Sequence, residues 1–282
     1  MSDQTAVLDQ MVDDWIGSPS VVFYKLQEAL KNPDLSFEDF DSIINTDPSL
    51  AARLLRIANS SFYGLDTKVE TITHALSIVG IKSVVDIALS TTIANNIKGL
   101  SSNLFDMQNF WKHSIACGLA ARAIAQSLSK DNLESFYTAG MLHDIGILFM
   151  YKTNPKKAEG TLSLCQSKGL PLSQAEDEIF GFNHTKVGAL AFKKWGLAPS
   201  LIEAVRFHHE PSQAKEYPLE ATVLHLADFL VYKMKYNIGE NYTVSALDPN
   251  LVQKMNMTQS SLSYIRQAVD AQMAETLDIF SA

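Results

Sequence analysis

The sequence predicts an all-α protein, on three observations. Stretch after stretch places apolar residues at three- and four-residue spacing, as one face of a helix requires. Most stretches open on a helix-start residue or close on a glycine. Convincing period-two alternation, fixed-period repeats and low-complexity blocks are all missing. The 282 residues suit one large domain or two small ones, and an apolar fraction of 46% supports a sizeable core. Helices packed in two lobes are the expected architecture.

The elements follow in order. "SPSVVFYKLQEALKN" begins with Ser18 as N-cap and Pro19 at the first helical position. "SFEDFDSIIN" begins at Ser36, with acids in its first turn. "DPSLAARLLRIANS" begins at Asp47 and Pro48, and Leu50, Leu54, Leu55 and Ile57 form its apolar stripe. Arg53 and Arg56 on that helix read as a solvated face. "ANSSFYGL" is a helix end running into a turn, with Asn59, Ser60 and Gly64 as turn formers. "TITHALSIVG" stops at Gly80 and "IKSVVDIALSTTIANNIKG" at Gly99; the polar "LSSNLFD" then marks a boundary between lobes.

Beyond it, "MQNFWKHSIACGLAARAIAQSLS" is a long helix carrying His113, and "LESFYTAGMLHDIGILFMYK" is a single, more buried one. "NPKKAEGTLSLCQSKG" has Asn154 and Pro155 at its start and Gly169 past its end. "SQAEDEIFG", "NHTKVGALAFKKWG", "APSLIEAVRFHHE", "LEATVLHLADFLVYKMKY" and "TQSSLSYIRQAVDAQMAETLDIF" complete the set.

A formal charge of −8 argues against a dedicated phosphate-backbone binder, so direct nucleic-acid binding is not expected. The N-terminal "MSDQTAVLDQMVDDW" lacks the basic and apolar regions of a signal peptide, and no run of 18 uninterrupted apolar residues suggests a membrane span. A cytoplasmic protein is expected. Cys117 and Cys165 form no CxxC and read as thiols of a reducing compartment.

The chemistry is concentrated around "MLHDIGILF", where His143 and Asp144 interrupt an apolar run. Polar groups there cost several kcal/mol (about 2–7) unless partnered. Five of the seven histidines sit on helices or helix ends in apolar settings: His113, His143, His184, His208 and His209. Asp144 and Asp228 are placed likewise, while His74 and His225 read as structural. Singly, each has a plain reading: a packed imidazole, a helix-dipole complement for His208 and His209, a hydrogen-bonded acid for Asp228. Together they form the nitrogen and carboxylate donor set of Zn, Mn, Fe, Co or Ni. A carboxylate with two oxygens can link two ions, as in two-metal phosphohydrolases.

The ordered series His113, His143–Asp144, Asp228 resembles the H…HD…D signature of the HD superfamily of metal-dependent phosphohydrolases. His184 and the pair His208–His209 resemble the extra histidines of its two-metal members, including the HD-GYP phosphodiesterases. The closer resemblance is to the HDOD group, the HD-related output domain of bacterial signalling proteins. It is carried by "INTDPSLAARLLRIANSSFYGL", "ITHALSIVGIKSVVDIALS", "GMLHDIG", "FNHTKVGALAFKKWGL" and "FHHEP", and covers roughly residues 15 to 235. It implies an N-terminal helical lobe at residues 1–100, an HD-like metal-site lobe at 101–236, and a C-terminal helical extension at 237–282.

The resemblance also implies a regulatory module, with a protein partner in signalling and a phosphate or nucleotide as candidate ligand. The alternative is a working phosphohydrolase on a nucleotide or other phosphate ester, with a metal-activated water held by His143 and Asp144. One or two divalent transition ions are expected, iron or manganese first, with zinc, cobalt and nickel compatible with the same donors. Three departures weigh against catalysis. Ile147 stands where active HD-GYP members have Lys. Asn109, one turn before His113, stands where trinuclear members have Glu. No GYP follows "HHEP".

Overall fold

A computed structural model of the chain describes residues 3–15, 20–60, 63–96, 106–131, 133–239, 243–247, 251 and 255–281. The regular secondary structure among the described residues is helical, with no strand. The chain divides into two compact units, Gly17–Lys98 with Ala271–Ala282, and Met1–Ile16 with Gly99–Asp270. No single helix among the described residues is long and apolar enough to cross a membrane.

The smaller unit contains α2 (Val21–Ala29), α3 (Phe37–Ile44), α4 (Pro48–Ala58), α5 (Ile72–Val79) and α6 (Ile81–Asn96). Its core includes Phe23, Leu26, Ile44, Leu50, Leu54, Leu76 and Leu89. Ser18 and Pro19 lie outside the described residues, and the cap of α2 is Ser20, whose hydroxyl accepts from the Phe23 N–H at 3.2 Å. Gly99 and nearly all of "LSSNLFD" also lie outside them. Asn59 closes α4 and clamps the following loop: its amide oxygen accepts from Val69 N–H at 2.8 Å and its Nδ2 donates to the Val69 carbonyl at 2.8 Å. Gly80, with φ at +84°, lets α5 turn into α6 through 100°. Arg53 corrects the expectation of a solvated face. It is 4% exposed, because it falls beside Leu50 and Leu54 on the buried side of α4, whereas Arg56 faces solvent.

The larger unit contains α1 (Asp3–Trp15), α7 (Met107–Ser127), α8 (Leu133–Leu142), α9 (Ile145–Thr153), α10 (Pro155–Lys168), α11 (Leu172–Phe180), α12 (His184–Lys194), α13 (Pro199–Phe207) and α14 (Pro218–Lys233). The terminal helix α15 (Gln259–Ser281) is divided between the units at Asp270. α1 belongs with this unit for a local reason. Met11 and Val12 are buried, and Lys194 of α12 reaches Asp13 at 2.7 Å and Asp9 at 3.2 Å.

A second correction concerns "LESFYTAGMLHDIGILFMYK". It is two helices, broken at His143 and Asp144. His143 Nδ1 donates to the Gly140 carbonyl at 2.7 Å, and the Ile147 N–H returns to the Asp144 carbonyl at 2.9 Å, tightening the chain into a turn. A broken helix can aim two adjacent side chains at one centre, which the 100° step of a continuous helix prevents.

Two backbone crossings set the spacing around that break. A Cβ on Gly140 would strike the Cys117 carbonyl and stand 2.7 Å from Gly118 Cα, so α8 lies directly on α7. A Cβ on Gly146 would strike the His184 carbonyl and stand 2.9 Å from Gly188 N, so α9 lies directly on α12.

Candidate metal centre

The larger unit brings all seven sequence-predicted side chains together. His113 comes from α7, His143 and Asp144 from the α8–α9 break, His184 from the first position of α12, His208 and His209 from the end of α13, and Asp228 from α14. His113, His143, Asp144, His184 and His208 are fully buried, and Asp228 is 2% exposed.

Asp144 is the hub. Its Oδ2 lies 3.3 Å from His143 Nε2 and 3.6 Å from His113 Nε2. Its Oδ1 lies 3.2 Å from His184 Nε2 and 3.6 Å from His208 Nε2. Asp228 closes the far side, with Oδ1 3.5 Å from His113 Nε2 and Oδ2 3.9 Å from His209 Nδ1. His209 Nε2 meets His184 Nε2 at 3.0 Å.

The imidazoles are oriented from behind. A carbonyl oxygen only accepts, so a ring nitrogen against one must carry the proton. His113 Nδ1 thus donates to the Tyr236 carbonyl at 2.8 Å and His208 Nδ1 to the Val205 carbonyl at 2.8 Å, like His143 to Gly140. His184 Nδ1 donates to Glu176 Oε2 at 2.5 Å, and the same oxygen accepts the His184 backbone N–H at 2.9 Å. Each Nε2 is left facing inward, the tautomer that binds metal.

Burial and crowding set the charges. His113 is pushed down to about 4 by burial and by neighbouring His143. His208 is held down at about 4 by burial, which outweighs its contact with Asp144. His209 is lowered by burial and by His208 and His184. His184 goes the other way: burial opposes its charge, but Glu176 and Asp144 raise it to about 10. Asp144 stays ionised despite burial, because His143 and His184 hold it well below the usual range. The result is a buried carboxylate between two imidazoles whose charged form it favours, His143 and His184, and two that are held neutral, His113 and His208.

The donor atoms fall into two groups that could each hold a metal ion: His113, Cys117, His143 and Asp228, and Asp144, His184, His208 and His209. Within each group the donor atoms lie within 4.8 Å of one another. The residues fit divalent transition ions chemically. His208 Nε2 is buried, carries a lone pair and has no hydrogen-bond partner, which a coordinated ion would remedy.

Sequence reasoning overlooked two contributors, Cys117 and Glu176, and read a third, His225, as structural. Cys117 lies one turn after His113 on the same face of α7, a spacing that could have flagged it. Glu176 lies eight residues before His184, across a turn at Gly181, and nothing in the local pattern points to it. His225 Nδ1 donates to the His208 carbonyl at 2.7 Å and braces the end of α13. Ile147 is fully buried, and Asn109 is half-buried at the start of α7.

The HDOD domain family matches residues 16–211 of the chain. An uncharacterized protein of Treponema pallidum (strain Nichols) is 25% identical over 221 residues, 77% of this chain; the chain spans 42% of that curated relative's length. An HDOD domain protein of unknown function from Geobacter sulfurreducens superposes with a TM-score of 0.69 at 19% identity, covering 99% of this chain and 97% of that one. A "putative signal transduction protein" from Marinobacter aquaeolei VT8 superposes at 0.76 with 20% identity, over 99% of this chain and 66% of that one. A "putative metal-dependent phosphohydrolase" from Shewanella amazonensis SB2B superposes at 0.67 with 20% identity, over 96% and 97%. At these identities the likeness is one of fold.

Proposed function

The chain belongs to the HDOD family, and from that premise we propose that it is a regulatory protein whose larger unit holds one or two divalent transition ions and signals through a protein partner. The observation that carries the metal reading is the division of Asp144: one oxygen faces His113 and His143, the other His184 and His208. A carboxylate so placed could serve both sides of a two-ion centre. His113, His143 and Asp228 would complete one side, and His184, His208 and His209 the other. Iron and manganese suit the mixed nitrogen and carboxylate donors.

The regulatory reading is supported by enclosure. Five of the seven donors are fully buried, which suits a resident ion better than an ion that must meet a phosphate ester from solution. Ile147 adds to this, since a fully buried aliphatic side chain replaces the substrate-binding lysine expected of active relatives. Losing one preorganised donor commonly costs on the order of a hundred- to a thousandfold in rate.

A second reading, hydrolysis of a nucleotide or other phosphate ester, is favoured by the bridged arrangement itself. Two ions held there would lower the pKa of a bridging water and clamp phosphate oxygens. Elemental analysis of the purified protein and a substrate panel with iron and manganese separate the readings. We expect bound metal, and weak or no turnover of cyclic dinucleotides, guanosine tetraphosphate and simple nucleotides. Turnover of about 1 per second or more, abolished in His143→Ala, would make the protein an enzyme. A metal-free protein that takes up none on reconstitution would end both metal readings.

A further inference from the structure

Tyr236 faces two ways. Its backbone carbonyl accepts the Nδ1–H of His113 at 2.8 Å, behind the ring that presents Nε2 to the centre. Its phenol donates to Asp270 Oδ1 of α15 at 3.3 Å, and Arg266, one turn earlier on α15, lies 3.8 Å from Asp270 Oδ2. One residue thus touches a candidate metal ligand with its main chain and the terminal helix with its side chain.

The local sequence holds that residue in place. α14, which carries Asp228, is capped at Met234, and Lys235 then takes a left-handed φ of +68°. The Tyr236 N–H returns to the Val231 carbonyl at 3.2 Å, the closing bond of a helix-stop motif. Tyr236 is therefore fixed to α14 through its N–H and to His113 of α7 through its carbonyl. α15 meets α7 a second time, where the Tyr264 hydroxyl donates to Gln126 Oε1 at 3.5 Å. Ile265 and Val269 of α15 are fully buried. An apolar stripe seats this helix, and Tyr236 and Gln126 bond to its polar edge.

We propose that α15 is the output element of the metal centre, with Tyr236 as the relay: an ion on His113 tightens the docking of α15, and loss of the ion loosens it. The inference rests on the metal reading above and adds how occupancy leaves the centre. An ion on Nε2 draws electron density from the ring and makes Nδ1–H a stronger donor, so the group behind the ring is held with it. Here that group is the Tyr236 carbonyl, and a better-held Tyr236 keeps its phenol on Asp270. Tyr236 is a positioning residue in this scheme and touches no ion. The coupling is reciprocal: the docked helix favours the ion as much as the ion favours docking. α15 suits an output role because it runs on past Asp270, from residues grouped with the larger unit into residues grouped with the smaller.

The test is hydrogen–deuterium exchange of the full-length protein, stripped of metal and then reconstituted with manganese(II), with uptake counted by elemental analysis. α10 lies in the same unit, carries none of the seven donors and serves as internal reference, because a bound ion also slows exchange everywhere by raising global stability. Protection of α15 is expected to rise about fivefold more than that of α10, the low end of common couplings. Tyr236→Phe removes the phenol hydroxyl and keeps the carbonyl behind His113; it and Asp270→Ala are expected to take up metal and lose the excess. Uptake with equal gains in α15 and α10 of wild type, or an excess that survives in either variant, overturns the relay and leaves the metal reading standing. Absence of uptake by wild type overturns both.

Discussion

Side-chain capping is the rule at helix starts in the smaller unit and is broken at several in the larger one. In the smaller unit, α2, α3, α4 and α5 start with Ser20, Ser36, Asp47 and Thr71, and each side chain accepts a backbone N–H of its own first turn. Ser36 and Asp39 complete a reciprocal capping box. In the larger unit, α7 and α10 follow this rule through Asp106 and Asn154. Two helices that begin at the centre, α9 and α12, do not. Asp144 stands at the N-cap of α9 with a side chain well suited to capping, yet makes no cap hydrogen bond and turns to the imidazoles. Asn183 does not cap α12; the first N–H of that helix goes instead to Glu176. Departures from local rules concentrate where side chains have been recruited for another purpose.

Asp144→Ala is the most severe way to break this contrast. Metal that binds only the folded state stabilises by about 2.7 kcal/mol at a hundredfold excess over its dissociation constant. The variant is expected to lose most of its bound metal and with it that stabilisation, so a chelator should lower the melting temperature of wild type and leave the variant nearly unchanged. Undiminished metal in the variant would remove Asp144 from its bridging position.

Glu176→Gln comes next. It preserves volume but weakens the acceptor behind His184 Nδ1. Metal affinity should fall about 10- to 100-fold, or about 1.4–2.7 kcal/mol, measured by competition with a chelator of known affinity. An unchanged affinity would mean that Glu176 serves folding alone. By contrast, Asp47→Ala in the smaller unit should cost about 1 kcal/mol of stability in denaturant unfolding and leave metal affinity untouched. A loss of metal there would contradict the separation of local capping from site chemistry.

The smallest effect tests a cap-like carboxylate outside the centre. Partial burial works to raise Glu203, but the backbone N–H groups of Lys215, Glu216 and Tyr217 bind its carboxylate and hold it below the usual range. A depressed folded value contributes stability above the unfolded value of about 4.3 and loses it as pH falls through the folded one. The stability difference between wild type and Glu203→Gln should therefore be level from neutral pH to about 5 and shrink below about 4.3. A difference that grows on acidification would reverse the sign.

What the sequence made legible was local or ordered along the chain. Ser36, Asp47 with Pro48, Gly80, Asn154 with Pro155 and Gly169 punctuate the helices as expected, because caps and stops act within four residues. The seven donors stood out because imidazoles and carboxylates in apolar surroundings need partners. The break between α8 and α9 was hidden, since the residues on both sides of His143 and Asp144 in "MLHDIGILF" stay apolar and the turn depends on His143 reaching the Gly140 carbonyl. Arg53 was misread because long cationic side chains on an amphipathic helix usually face water. Glu176 was unreadable for a third reason: its partner is fixed by how α11 and α12 meet, and no periodicity encodes that.

At Gly140 and Gly146 main chain rests on main chain, so the gap between neighbouring helices is gauged by peptide groups and not by side chains. Aliphatic cores tolerate exchange of Leu, Ile and Met with small readjustments of the helices around them. Contacts of peptide against peptide leave no such slack. Exchange among interior aliphatic residues is therefore expected to disturb the spacing of the candidate ligands less than a methyl group added at either glycine. Redesign of ion preference would accordingly begin with the donors themselves, since repacking the surrounding interior would leave the gauge where it is.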